Sequence, residues 1–197
     1  MRLSRSFIAV GVVGFLATSL AVAGGGTRAA DQLVLETAQS VDSDVLDLLG
    51  SLVGTLGRAE TATIVAVSLA LAWWRHRGPA GLVPLLLFAG VAIEVAMKYL
   101  LPHPAPPSGL DRSLDFLPFL SLPSPFSYPS GHVLRTTFLA TLLGPRVRSP
   151  WRWVLAGVVV AMVLSRVYLG EHWLSDTIGG LLLGLALGGI ALWIERR

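Results

Sequence analysis

The chain contains no cysteine among its 197 residues. That removes disulfides, thiolate metal sites and cysteine nucleophiles together, and leaves the redox compartment unread. Charge is scarce as well: Asp, Glu, Lys and Arg make up 14% of the residues against 53% hydrophobic, with a mean hydropathy of +0.69. This balance excludes an ordinary soluble globular domain. The formal charge of +3 gives no case for nucleic acid, because the basic residues follow the membrane pattern described next. No internal repeat, low-complexity tract or second domain is visible, and no carboxylate cluster offers a magnesium site. What remains is a single membrane-embedded domain over 1–197.

A membrane-crossing helix needs about 20 mostly apolar residues. Six stretches come close: 7–24, 59–74, 80–101, 131–145, 151–169 and 173–194, of which the fourth is shortest. The expected fold is therefore all-α, a polytopic bundle of six transmembrane helices. With the N-terminus in the cytoplasm, Arg2, Arg5, Arg75, Arg77, Arg146, Arg148, Arg152, Arg196 and Arg197 fall inside, nine of the fifteen Lys and Arg. That asymmetry is the one the positive-inside rule expects, and it puts both termini in the cytoplasm. The opposite face receives Asp31, Glu36, Asp42, Asp44, Asp47, Asp111, Asp115 and Glu171. The first span is read as retained, although Ala21-Val22-Ala23 is an acceptable signal-peptide cleavage pattern; it is a span or a signal anchor.

Between the first two spans, Ala38, Val41, Val45, Leu48, Leu49, Leu52 and Leu56 recur at helical spacing, predicting an interfacial amphipathic helix or simply a packed one. The proline-rich loop 102–130 carries Phe116, Phe119, Phe126 and Tyr128 and is expected to be irregular chain at interface depth. Arg112 within it reads as a solvated loop charge.

Polar residues nevertheless collect at the outer ends of three spans: Lys98; Pro129-Ser130-Gly131-His132; and SRVYLGEHWLSD, residues 165–176. Ionisable groups near lipid are costly, so function is the first explanation. His172 and Asp176 are spaced i, i+4, which lets the carboxylate hold one ring nitrogen and leave the other free to attack, if the helix begins by His172. Lys98 and Arg166 are cations suited to phosphoryl oxygens. Ser130 and the Gly131 amide open a helix, where anions are favoured. His132 follows them, and an imidazole titrating near ~6.5 is well suited to protonate a leaving group.

At these residues the chain resembles the phosphatidic acid phosphatase type 2 superfamily, which includes bacterial lipid phosphatases, glucose-6-phosphatase and vanadium haloperoxidases. PSGH is intact at 129–132, and SRVYLGEHWLSD satisfies SR-x5-H-x3-D throughout. The resemblance implies that His172 is a nucleophile forming a phosphohistidine, that Asp176 orients it and that His132 is the general acid. Lys98, Ser130, Gly131 and Arg166 would hold the phosphate, with 80–194 as catalytic core and neither metal nor other cofactor needed. A lipid phosphate in the bilayer would be the partner, attacked at the extracytoplasmic face. Polyprenyl pyrophosphate is the favoured substrate, with phosphatidylglycerophosphate or phosphatidate next.

One element departs from the signature. In KYLLPHPAPP the expected arginine falls at Ala105, before Pro106. His103 is the ionisable residue nearby, and Arg135, one turn beyond His132, either replaces the arginine or pairs with a loop carboxylate. Taken alone, Lys98 reads as a snorkelling lysine with Glu94 as its ion-pair partner. Gly179, Gly180, Gly184, Gly188 and Gly189 predict close helix packing. The missing arginine leaves a weakly active lipid-phosphate binder as one alternative, and the shared motif leaves a haloperoxidase-like enzyme as another. Oligomeric state is not legible.

Overall fold

The computed structural model describes residues 2–114 and 124–196. Helices dominate: α1 (Arg2–Ala23), α2 (Arg28–Gln39), α3 (Asp44–Gly57), α4 (Ala59–Arg77), α5 (Leu86–Leu100), α6 (Gly131–Leu143), α7 (Ser149–Tyr168) and α8 (Leu174–Ile194), with short 3₁₀ turns between some of them. No strand occurs among the described residues; an isolated bridge joins Pro104 to Phe126. Phe116, Phe119 and Asp115 lie outside the described residues.

Among the described residues, four stretches are long and apolar enough to cross a membrane: Ser4–Ala23, Ala59–Leu100, Ser149–Tyr168 and Leu174–Ile194. The second joins α4 and α5 through a 3₁₀ reversal at Gly78–Leu85, where Gly78 takes a positive φ of 56°. The expected fourth span becomes α6, whose 13 residues reach only about 20 Å at 1.5 Å per residue, short of a ~30 Å hydrocarbon layer. α6 is instead the axis of the bundle. Val133, Leu134, Phe138 and Leu142 are fully buried, and so nearly are Arg135, Thr136 and Thr137. α8 lies against α6 because its glycines admit the backbone: a Cβ on Gly180 would meet the Ser130 carbonyl at 2.3 Å, and one on Gly184 the Leu134 carbonyl at 2.6 Å. On the other side of α8, Gly11 of α1 brings the two backbones together at Ala186.

The segment expected to be one amphipathic helix is two. Ser43 caps α3, its Oγ accepting from the Leu46 amide at 3.4 Å, and so restarts the chain after Gln39. The glycine face of α3 turns inward, Gly50 against Leu169 and Gly54 against the Arg166 guanidinium, while Val45, Leu49, Leu52 and Leu56 face outward. Two loop residues also differ from expectation. Tyr128 is fully buried, stacked on Phe15 at 6.0 Å and bonded through its hydroxyl to Ser19 at 2.9 Å. Burial pushes that hydroxyl up to about 12, against the Ser19 hydrogen bond. Arg112, expected to be solvated, donates to the Val41 carbonyl at 3.0 Å, pairs with Asp42 at 3.2 Å and covers Tyr168.

The arginines expected on one side do share one end of the bundle in part. Arg77 and Arg146 both pair with Glu195, and both lie over Trp73.

Candidate active site

The SR-x5-H spacing has a structural cause. α7 ends in a Schellman turn: the Gly170 amide donates to the Val167 carbonyl at 3.0 Å and the Glu171 amide to the Arg166 carbonyl at 3.1 Å. Gly170 has φ of 74°, and a Cβ there would meet the Leu110 carbonyl at 2.3 Å, so the turn requires glycine. The His172 amide also donates to the Arg166 carbonyl, at 3.2 Å. The backbone of His172 is thereby fixed one turn from that of Arg166.

His172 does not lie within α8, which begins at Leu174. The expected i, i+4 stacking is therefore not helical; capping makes the pair instead. Asp176, the third residue of α8, turns back so that Oδ2 accepts from the Trp173 amide at 2.9 Å, the return half of a capping box. The same Oδ2 stands 3.4 Å from His172 Nδ1. Asp176 is wholly buried, and its other oxygen, Oδ1, lies 3.0 Å from His103 Nδ1. His172 Nε2 is left for chemistry. Asp31 of α2 adds a second carboxylate to this helix start, accepting from the Ser175 amide and hydroxyl at 2.8 Å each.

The PSGH segment docks beside it. The Ser130 amide donates to the Asp176 carbonyl at 3.0 Å, while the buried Ser130 Oγ has no hydrogen-bond partner among the described residues. A buried hydroxyl at a helix start suits an anion's oxygen. His132 is half-buried on the first turn of α6, and the charged groups acting on it are Arg166, Arg135, His172 and Arg58. His132, His172 and the three arginines thus share one electrostatic neighbourhood.

The cations have partners within the chain. Lys98 Nζ lies 3.4 Å from Glu94 Oε1, and Arg135 Nη1 donates to Glu94 Oε2 at 2.8 Å. Arg135 Nε donates to the Gly57 carbonyl at 2.8 Å. Arg135 does pair with a carboxylate, but that carboxylate is Glu94 of α5 and not a loop residue. Glu94 also abuts Gly131, where a Cβ would meet its Oε1 at 2.1 Å. Arg166 is buried, with Nη1 donating to Glu171 Oε1 at 2.6 Å and Nη2 to the Gly50 carbonyl at 2.9 Å.

Two groups, then, come together. Asp176 collects His103 and His172; Glu94 collects Lys98, Arg135 and Gly131. Sequence reasoning treated Glu94 only as the partner of Lys98, and gave no part to Asp31, Glu171 or the Gly50 and Gly57 carbonyls. The i, i+4 relation of Glu94 to Lys98 was the one available signal; the others join positions remote in sequence.

A family model described as the PAP2 superfamily matches residues 79–197. An undecaprenyl-diphosphatase of Sulfolobus acidocaldarius is 44% identical over 77 residues, 37% of this chain and 35% of that protein. A decaprenylphosphoryl-5-phosphoribose phosphatase of Mycobacterium tuberculosis is 36% identical over 108 residues, 52% of this chain and 54% of that protein. The chain thus spans about half or less of the length of these curated relatives. Among solved structures, a phosphatidylglycerolphosphate phosphatase of Bacillus subtilis aligns with a TM-score of 0.77 at 21% identity, over 100% of this chain and 97% of that one. Aquifex aeolicus LpxE aligns with a TM-score of 0.65 at 18% identity, over 82% and 94%. These two likenesses show the fold.

Proposed function

The chain belongs to the PAP2 superfamily, and from that premise we propose that it is an integral-membrane phosphatase acting on a phosphate or diphosphate ester of a lipid. The observation that carries the reading is the Asp176 carboxylate facing His172 Nδ1, with Oδ2 held by the Trp173 amide at the start of α8. Polyprenyl pyrophosphate is the favoured substrate, with phosphatidylglycerophosphate or phosphatidate next. Relatives are named for the first two of these classes, an undecaprenyl diphosphatase and a phosphatidylglycerophosphatase.

In the mechanism, Nε2 of His172 attacks phosphorus and forms a P–N bond while the P–O bond to the lipid breaks. The electron pair stays on the leaving oxygen, which His132 protonates if it is an alkoxide. His132 then takes a proton from water as that water attacks the phosphohistidine, and inorganic phosphate leaves. Asp176 keeps His172 in the tautomer with Nδ1 protonated and stabilises the cation that forms. Lys98, Arg166, Ser130 and the Gly131 amide face the equatorial oxygens, the type of stabilisation on which phosphoryl transfer depends. Lys98 and Arg166 exchange part of their contact with Glu94 and Glu171 for the substrate.

The same reading keeps six segments in the membrane, with α6 enclosed by protein rather than crossing the layer on its own, both termini in the cytoplasm and the site on the extracytoplasmic face. Residues 1–197 act as one domain, with 80–194 as the core. The reaction uses no metal. Phosphate release from polyprenyl pyrophosphates and glycerophospholipids in detergent with EDTA tests this, together with acid-quenched labelling of His172. Release that survives His172→Ala eliminates the mechanism, and release that EDTA abolishes eliminates metal independence.

A further inference from the structure

Beside the His103–Asp176 pair lies a cavity of about 500 Å³ that none of the expected phosphate ligands lines. Val22 at the end of α1 and Leu100 and Leu101 at the end of α5 give it apolar lining, and Arg28 at the head of α2, His103 and Trp173 line it as well. Asp31 also borders it. Both Asp31 oxygens are committed to Ser175 at 2.8 Å, so its charge answers the start of α8.

The cavity thus presents two groups that can bind an anion. His103 Nδ1 donates to Asp176 Oδ1 at 3.0 Å, which leaves Nε2 as the ring's free nitrogen, a donor to an anion in the imidazolium form. The ring's position is set from the backbone side too: the Ser127 amide donates to the His103 carbonyl at 2.9 Å, and the Trp173 indole to the Pro104 carbonyl at 2.8 Å. Arg28 makes no ion pair among the described residues and rests over Gly25. An anion-binding pair next to the carboxylate of the nucleophile, backed by an apolar wall, has the layout for a second phosphate followed by a hydrocarbon chain.

We propose that Arg28 and His103 form a second anion subsite, which holds the inner phosphate of a lipid diphosphate while its terminal phosphoryl group is transferred to His172. The chemistry rests on the phosphatase reading above; the subsite rests on the cavity. The P–N bond to His172 forms as the bond from the terminal phosphorus to the bridging oxygen breaks. The electron pair stays on that oxygen, which departs as part of the lipid monophosphate. Its added negative charge develops between Arg28 and His103, so this leaving group needs no proton. The first carbons of the chain pass along Val22, Leu100 and Leu101.

The test separates binding from turnover. Calorimetry on the full chain in detergent compares methylenebisphosphonate with orthophosphate. The unaltered protein binds the bisphosphonate at least about tenfold more tightly, and Arg28→Gln removes about tenfold of that affinity while changing orthophosphate about twofold or less. His103→Gln follows the same pattern. Because Arg28 is exposed, its variant tests the subsite even if loss of His103 loosens Asp176. No bisphosphonate preference, or equal losses for both ligands in Arg28→Gln, overturns the subsite. In turnover, the ratio of kcat/KM for farnesyl diphosphate to that for farnesyl phosphate falls about tenfold in Arg28→Gln; an unchanged ratio also overturns it. If bisphosphonate binding depends on Arg28 but neither ester is hydrolysed, the subsite stands and the phosphatase reading fails.

Discussion

Glu94 and Asp176 are both buried carboxylates with two cation-capable partners, and those partners differ in kind. Glu94 holds Lys98 and Arg135, which carry permanent charge, and touches Gly131 at the start of α6. Asp176 holds two imidazoles and the Trp173 amide. One positive charge is left over at the first centre, a fixed field for a phosphoryl group. At the second, an imidazole can gain or lose a proton without leaving its carboxylate, which is what a nucleophile and its orienting group require. Under the proposed mechanism, the electrostatic part of the site and the proton-handling part are built on separate carboxylates.

The largest effect expected from this division is at Asp176. Asp176→Asn keeps an oxygen for the Trp173 amide and for His172 Nδ1, which both meet Oδ2, but it removes the charge that stabilises the His172 cation and turns an NH₂ group toward His103 Nδ1. In a serine protease triad the same change lowers kcat about 10⁴-fold. A loss on the order of a thousandfold or more is expected here, read as phosphate release at saturating lipid. Glu94→Gln is expected to lose far less. Equal losses would break the distinction between the two centres.

The next effect is on stability. Removing one member of a buried ion pair leaves the other uncompensated and costs about 3–5 kcal/mol. Arg135→Met is expected to cost that much, because Glu94 then faces the buried Gly131 backbone with Lys98 alone. Thermal unfolding in detergent gives the value. A cycle with Glu94→Gln should return a coupling of about 1–3 kcal/mol; additive losses would mean that the pair seen at 2.8 Å does not act as one.

How far the sequence could be read follows the same lines. The third motif was legible because its geometry is local: a Schellman turn at Gly170 and a capping carboxylate at Asp176 connect residues at most six apart. Hydropathy located α1, α4, α7 and α8, but α6 is enclosed by protein and can carry Arg135, Thr136 and Thr137, so its short apolar run gave a weak signal. Periodicity showed an apolar face on 44–57 without showing which way it points. Where lipid is the surrounding solvent, leucines face out and glycines allow helices to approach, the reverse of the soluble case. The hydrogen bonds from His103 to Asp176 and from Arg135 to Glu94 span 73 and 41 residues, and no local pattern predicts them.

A smaller effect tests how firmly Arg166 must be held. A Cβ on Gly54 would meet Arg166 Nη2 at 2.4 Å, and the guanidinium is already tied to Glu171 and to the Gly50 carbonyl. Gly54→Ala therefore displaces the guanidinium by breaking at least one of those bonds. A fall of about tenfold in kcat/KM is expected, matching roughly 1.4 kcal/mol, with little change in unfolding temperature. If activity is unchanged, Arg166 does not need its observed position to hold phosphate.

The smallest effect concerns the absent arginine. Ala105 lies in a clip between 103–105 and 125–127, its amide donating to the Pro125 carbonyl at 3.2 Å, two residues from the imidazole that meets Asp176. A charge-assisted hydrogen bond to phosphate is worth about 1.5–3 kcal/mol, an upper limit of roughly ten- to a hundredfold for what an arginine here would add. If His103 already supplies an anion donor, Ala105→Arg has little left to contribute. The expected gain in kcat/KM for a lipid diphosphate is about twofold with His103 present and about tenfold in a His103→Ala background, where the new guanidinium takes over. For Arg135 to act as the substitute, its Nε or Nη1 would have to release Gly57 or Glu94. Equal gains in both backgrounds would separate His103 from the missing arginine's role and leave it only as a partner of Asp176. Absence of gain in either would show that Lys98 and Arg166 already meet the charge of the transferred phosphoryl group.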